Sequence, residues 1–76
     1  MASTLHLLKR DSPAAAVPVI AAQCGDAEAR VTVVLLDASA PAPALPERAS
    51  VRRLGVDLDH SALLDLIFDH DRVVAW

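Results

Sequence analysis

Residues 30 to 37 read Arg-Val-Thr-Val-Val-Leu-Leu-Asp, and this stretch limits the architecture more than any other. Val31, Val33, Val34, Leu35 and Leu36 form an almost unbroken apolar run, rich in β-branched side chains. A strand with one wet face alternates polar and apolar residues, whereas a strand covered on both faces need not. The run therefore predicts a central strand of a parallel sheet, over residues 30–37, with helices or a partner subunit on each side. With 76 residues the chain makes one domain, 1–76, whose core is small. Chains of this size lean on disulfides, a metal or a partner. Cys24 is the sole cysteine, so disulfides are excluded. A composition 54% hydrophobic but only 3% aromatic, built on Ala, Val and Leu, suits flat, dry subunit contacts.

Charge is unevenly distributed. Residues 1–56 balance at +1, whereas Asp57, Asp59, Asp65, Asp69 and Asp71 against Arg72 give residues 57–76 a balance of −4. An acidic C-terminal third is a poor surface for nucleic acid, so no direct nucleic-acid partner is expected. Leu5, Leu7 and Leu8 precede Lys9 and Arg10, the reverse of a signal peptide. The longest apolar run, 13–22, contains Pro13 and Pro18 and is far short of the ~20 residues that span a bilayer. The expected setting is the cytosol, without a membrane partner and with the lone thiol reduced.

Along the chain, Thr4 to Lys9 reads as a first strand, in which Leu5 and Leu7 share one face and His6 and Leu8 the other. His6 reads as a strand histidine near the sheet edge or at an interface. Residues 9–13 make a turn in which Ser12 is placed to cap the alanine-rich segment after it. Pro18 inside a helix costs about 3 kcal/mol, so the first helix is expected to start near Val17 or Pro18. It ends at Cys24, with Gly25 as its left-handed terminator. After Asp37, Pro41, Pro43 and Pro46 among alanines exclude a crossover helix, favour extended geometry over 38–47, and leave that side of the sheet partly bare as an oligomer surface. Ser50 to Leu54 reads as a short strand broken by Gly55. Asp59 or Ser61 caps a helix from His60 to Asp69 or His70, with Leu63, Leu66 and Ile67 as its apolar face. Residues 73–76 close the chain as a last strand.

The reading is thus α/β: a small, mostly parallel sheet of about four strands with two helices. Cys24 is the candidate catalytic thiol. It falls at a helix C-terminus, where the dipole opposes a thiolate, and it lacks a Cys-x-x-Cys partner, so it reads as a quiet, half-buried side chain. His60 and His70 are ten residues apart, about 15 Å along a helix, and cannot share an ion. Capping accounts for Asp59 and solvation for Asp57, so no metal site is expected. Parallel sheets bind ligands beyond the C-terminal ends of their strands. Lys9, Asp11 and Asp37 make a mixed-charge rim there, the candidate ligand-binding residues. With only Gly25 and Gly55 there is no Gly-rich phosphate turn, and no nucleotide or other cofactor is expected. Leu64, Phe68, Val74 and Trp76 are the candidate interface residues, Trp76 either anchoring a subunit contact or covering the end of the core.

The C-terminal segment, 60–76, resembles the end of the DsrH/TusB family of sulfur-relay proteins. Leu63-Leu64 look like that family's apolar pair, Asp65-Leu66 match the step after it, and Ala75-Trp76 match its ending. Leu5-His6 followed by Ser12-Pro13 resembles the family's opening, and residues 31–37 resemble its central strand. His60 stands where an aromatic is usual, the proline-rich stretch replaces a glycine turn and helix, and Cys24 lies a little beyond the position where some members carry a cysteine. The resemblance implies a DsrE-like fold. It further implies membership of an oligomer, homo- or heteromeric, with DsrE/DsrF-like or TusC/TusD-like subunits. Such an oligomer passes persulfide sulfur between proteins, for tRNA 2-thiouridine formation or dissimilatory sulfur metabolism. In it the working cysteine belongs to another subunit, and this chain is architectural. Two alternatives from the residues are a persulfide-carrying thiol protein using Cys24 and a small-ligand binding module.

Overall fold

The computed structural model describes residues 3–10, 13–37, 39 and 43–76, with Pro13 described by its backbone alone. Six elements succeed one another: β1 (Ser3–Leu8), α1 (Pro13–Cys24), β2 (Arg30–Leu35), β3 (Ser50–Arg53), α2 (His60–Asp69) and β4 (Arg72–Ala75). The four strands form one sheet in the order β3-β2-β1-β4, and every neighbouring pair is parallel. The architecture is α/β.

The nearly unbroken apolar run of β2 has the consequence that its sequence demands. Val31, Thr32, Val33, Val34 and Leu35 are all buried, so both faces of the strand are covered. On one face Val31, Val33 and Leu35 join Leu8 and meet Ala16, Ile20 and Cys24 of α1. Those three lie four residues apart and form a single helical stripe. On the other face Thr32 receives His70 at the end of α2, and Arg30 pairs with Asp69 of that helix. The two helices therefore sit on opposite sides of the sheet.

α1 begins at Pro13, a full turn before the expected start near Val17 or Pro18. Pro13 occupies the first helical position, where its missing N–H costs nothing. Pro18 lies inside the helix. It shares the exposed side with Ala14, four residues earlier, so the carbonyl that loses its partner faces water. The opposite side, Ala16 and Ile20, is fully buried and holds the helix on the sheet. Nor does Gly25 take the left-handed terminator role. The positive φ belongs to Gly55, at +86°, in the turn after β3. α1 closes instead through tight bonds from Gly25 N–H to Ala22 O (3.2 Å) and Asp26 N–H to Gln23 O (3.0 Å). The Arg48 guanidinium adds bonds to Cys24 O (3.2 Å) and Ala27 O (2.9 Å).

Arg48 adjoins the segment expected to leave one side of the sheet partly bare. In the described part of that region the cover is partial, and β3 keeps all its residues at least partly exposed. Ala49 is buried and Leu45 packs against the α1-side core. A chain without regular structure can still cover a sheet when its apolar side chains point inward. Ser12, the proposed cap, lies outside the described residues. At the second helix the expected cap is present: Asp59 accepts a bond from Ala62 N–H at 2.9 Å.

Candidate functional site

The expected rim lies beyond the C-terminal ends of β1 and β2. Arg10 reaches Asp37 there, Nη1 to Oδ2, at 3.5 Å. Asp37 also accepts from the hydroxyl (2.7 Å) and the backbone N–H (2.9 Å) of Ser39. Those two bonds, and then the Arg10 charge, hold its carboxyl below the ordinary aspartate range. Asp37 is thus already engaged as the anchor of a tight local turn. Lys9 is exposed, and Asp11 lies outside the described residues. A cleft of about 230 Å³ occurs at the other end of the sheet, lined among others by Ser3, Thr4, Gln23, Asp71 and Arg72. It is smaller than the ~300 Å³ at which small-molecule pockets begin, and it lies away from the strand ends that favour ligands.

Cys24 is more enclosed than the half-buried thiol expected, at 5% exposure. It closes the Ala16–Ile20–Cys24 stripe against the sheet, at the helix end whose dipole opposes a thiolate. Among the described residues, no three of His, Cys, Asp and Glu gather at metal-binding separation. Asp57 accepts from the Arg53 N–H at 2.9 Å, and Asp59 is occupied as the cap of α2.

The four candidate interface residues fall into two pairs on opposite sides of the sheet. Leu64 and Phe68 are one turn apart on α2 and are 55% and 86% exposed. Not one residue of α2 is buried. Leu63, Leu66 and Ile67 are half-buried toward the sheet, and the other apolar pair of the helix faces outward. Val74 and Trp76 lie on the α1 side instead. Val74 is in register with His6, and Trp76 packs against the α1-side core. Asp65 is exposed between Leu64 and Phe68 in sequence.

His6, expected near an edge or an interface, lies instead on β1, one of the two inner strands, and is 0% exposed. Its Nε2 is 2.6 Å from Gln23 Oε1, and its Nδ1 accepts from the Trp76 indole N–H at 3.0 Å. The His6 and Trp76 rings also stack, with centroids 6.1 Å apart. Gln23 is a residue that sequence reasoning misses. The only signal pointing to it is a polar side chain beside the buried stripe of α1.

No helix among the described residues is long and apolar enough to cross a membrane. Compared with protein-family models, curated proteins and solved structures, the chain matches none of them.

Proposed function

We propose that this chain is a non-catalytic, architectural subunit of a cytosolic oligomer. One observation carries the assembly half of that reading: α2 buries none of its residues and turns Phe68, 86% exposed, and Leu64, 55% exposed, away from its own sheet. A helix that covers a sheet while holding out a second apolar pair is built to be covered in turn. Aromatic side chains of this kind concentrate at the centres of interfaces.

The sulfur half of the proposal rests on the resemblance of Leu5-His6, residues 31–37 and residues 60–76 to the DsrH/TusB family. By that likeness the fold is DsrE-like. The partners are DsrE/DsrF-like or TusC/TusD-like subunits, and the cargo is persulfide sulfur destined for tRNA 2-thiouridine or for dissimilatory sulfur metabolism. The setting of Cys24 supports the architectural role over the carrier role. A 5% exposed thiol at a helix C-terminus has little access to a sulfur donor and no dipole to favour its thiolate.

The test is co-purification with such subunits, followed by incubation with a sulfurtransferase and intact-mass measurement of each chain. The expected result is a stable complex in which a partner, and not this chain, gains one sulfur atom. A one-sulfur adduct on this chain that disappears in Cys24→Ala would overturn the proposal in favour of a carrier.

A further inference from the structure

We propose that His6 is a proton-operated latch on Trp76, closed while its ring is neutral and opened by a single protonation. The inference is independent of the subunit reading and rests on a partly buried polar chain that joins three elements: Gln23 of α1, His6 of β1 and Trp76 beyond β4.

The chemistry of the partners fixes the state of the ring. An indole N–H only donates. Its 3.0 Å bond to His6 Nδ1 therefore needs a lone pair on that nitrogen. A neutral imidazole with its lone pair on Nδ1 carries its proton on Nε2, and Nε2 is 2.6 Å from the amide oxygen of Gln23, which accepts it. Both contacts select the same tautomer. Protonating Nδ1 sets one N–H against another across 3.0 Å, and the indole has no lone pair to offer in exchange.

One ring must then move. His6 is fully buried on an inner strand, whereas Trp76 is half-buried and comes after an edge strand. The main chain of Trp76 stays tied by its N–H to Leu7 O at 3.1 Å, so the motion is of the side chain. α1 presents neutral Gln23, then the Cys24 thiol, with Asp26 beyond the helix end. β2 places Val33 in register with His6. β4 places Val74 in register, with Arg72 two residues earlier on the same face. Arg53 of β3 also lies on this face, in register with Leu35. Among the described residues, no carboxylate is bonded to the ring.

His70 provides an internal contrast. It is also buried, with Nδ1 2.6 Å from Leu66 O and Nε2 2.8 Å from the Thr32 hydroxyl. The carbonyl accepts in either state, and a hydroxyl both donates and accepts, so protonation leaves both His70 contacts intact. Of the two buried histidines, only His6 has a partner that rejects the proton.

The chain contains one tryptophan and no tyrosine, so intrinsic fluorescence reports on Trp76 alone. Acidification from about pH 8 to about pH 5 spans the histidine range. The expected result is a reversible red shift with increased quenching by acrylamide, while far-UV circular dichroism keeps its native form. The shift should be absent in His6→Gln and unchanged in His70→Asn. Imidazole nitrogen NMR of the wild-type protein at about pH 8 provides a readout that needs no variant, and should report His6 as the Nε2–H tautomer. An Nδ1–H tautomer, a red shift that appears only when secondary structure is lost, or a shift retained in His6→Gln would overturn the proposal.

Discussion

Replacing Phe68 by Ala separates what α2 does for its own fold from what the proposed subunit contact would draw from it. Full burial of a phenylalanine is worth ~1.5–3 kcal/mol. Phe68 keeps 86% of its surface in water. Only roughly one-seventh of that contribution, about 0.2–0.4 kcal/mol, is available to the isolated fold. Alanine returns a few tenths of a kcal/mol through its higher helix propensity. The two terms nearly cancel, so the thermal midpoint of the isolated protein should stay within about 2 °C of wild type. In a complex that covers Phe68, the same substitution forfeits the remaining six-sevenths, about 1.3–2.6 kcal/mol, a roughly 10- to 80-fold loss of affinity. Thermal melts monitored by circular dichroism, together with isothermal titration against the proposed DsrE/DsrF-like or TusC/TusD-like subunits, measure both quantities. A drop of many degrees in the isolated melt would show that Phe68 is part of the core. Unchanged affinity would show that the outer pair of α2 is not the contact.

Other perturbations probe the rest of the fold. Ile20→Ala empties the centre of the α1 stripe and should cost ~2–5 kcal/mol by denaturant unfolding, a large part of the roughly 4–11 kcal/mol that a domain of this length has in total; Val19→Ala, at a 43% exposed position beside it, should cost far less. Asp59→Ala removes the cap of α2 and should cost ~0.5–2 kcal/mol, most of it regained by Asp59→Asn. The Asp37 carboxyl is depressed when folded, so its contribution to stability is present above the ordinary aspartate pKa and is lost as pH falls through the lower, folded value. Carboxyl NMR should place its midpoint below the ordinary range, and Ser39→Ala should raise it more than Arg10→Ala does, because the Ser39 hydroxyl is the larger cause.

The features legible in the sequence are local ones. Residues 31–36 announce a strand covered on both faces, because too few polar side chains are left to meet water. Asp59, three residues before Ala62, announces a cap, because that bond closes within one turn. The features hidden from it depend on residues that meet only in three dimensions. Pro18 argues for a late helix start, and the decisive fact is that its side of α1 faces solvent. Gly25 looks like the terminator because Arg48, more than twenty residues away, gives no sign that it takes the carbonyls at that helix end. Alanines and prolines over 38–47 suggest a partly bare sheet, and β3 is only partly covered, but nothing in that composition shows that Leu45 and Ala49 turn inward onto the core. His6 and Trp76 are at opposite ends of the chain, and only the parallel pairing of β1 with β4 makes them neighbours. The candidate interface residues stand out by type, and the fold divides them between its two faces.

The proposal that α2 forms one half of an interface is read out by native mass spectrometry. The protein is measured alone and mixed with DsrE/DsrF-like or TusC/TusD-like subunits, as wild type and as Phe68→Ala. The expected result is a wild-type assembly heavier than one chain in at least one of these mixtures, weakened in the variant while the melt is unchanged. A single-chain mass for the wild type under every condition would contradict it.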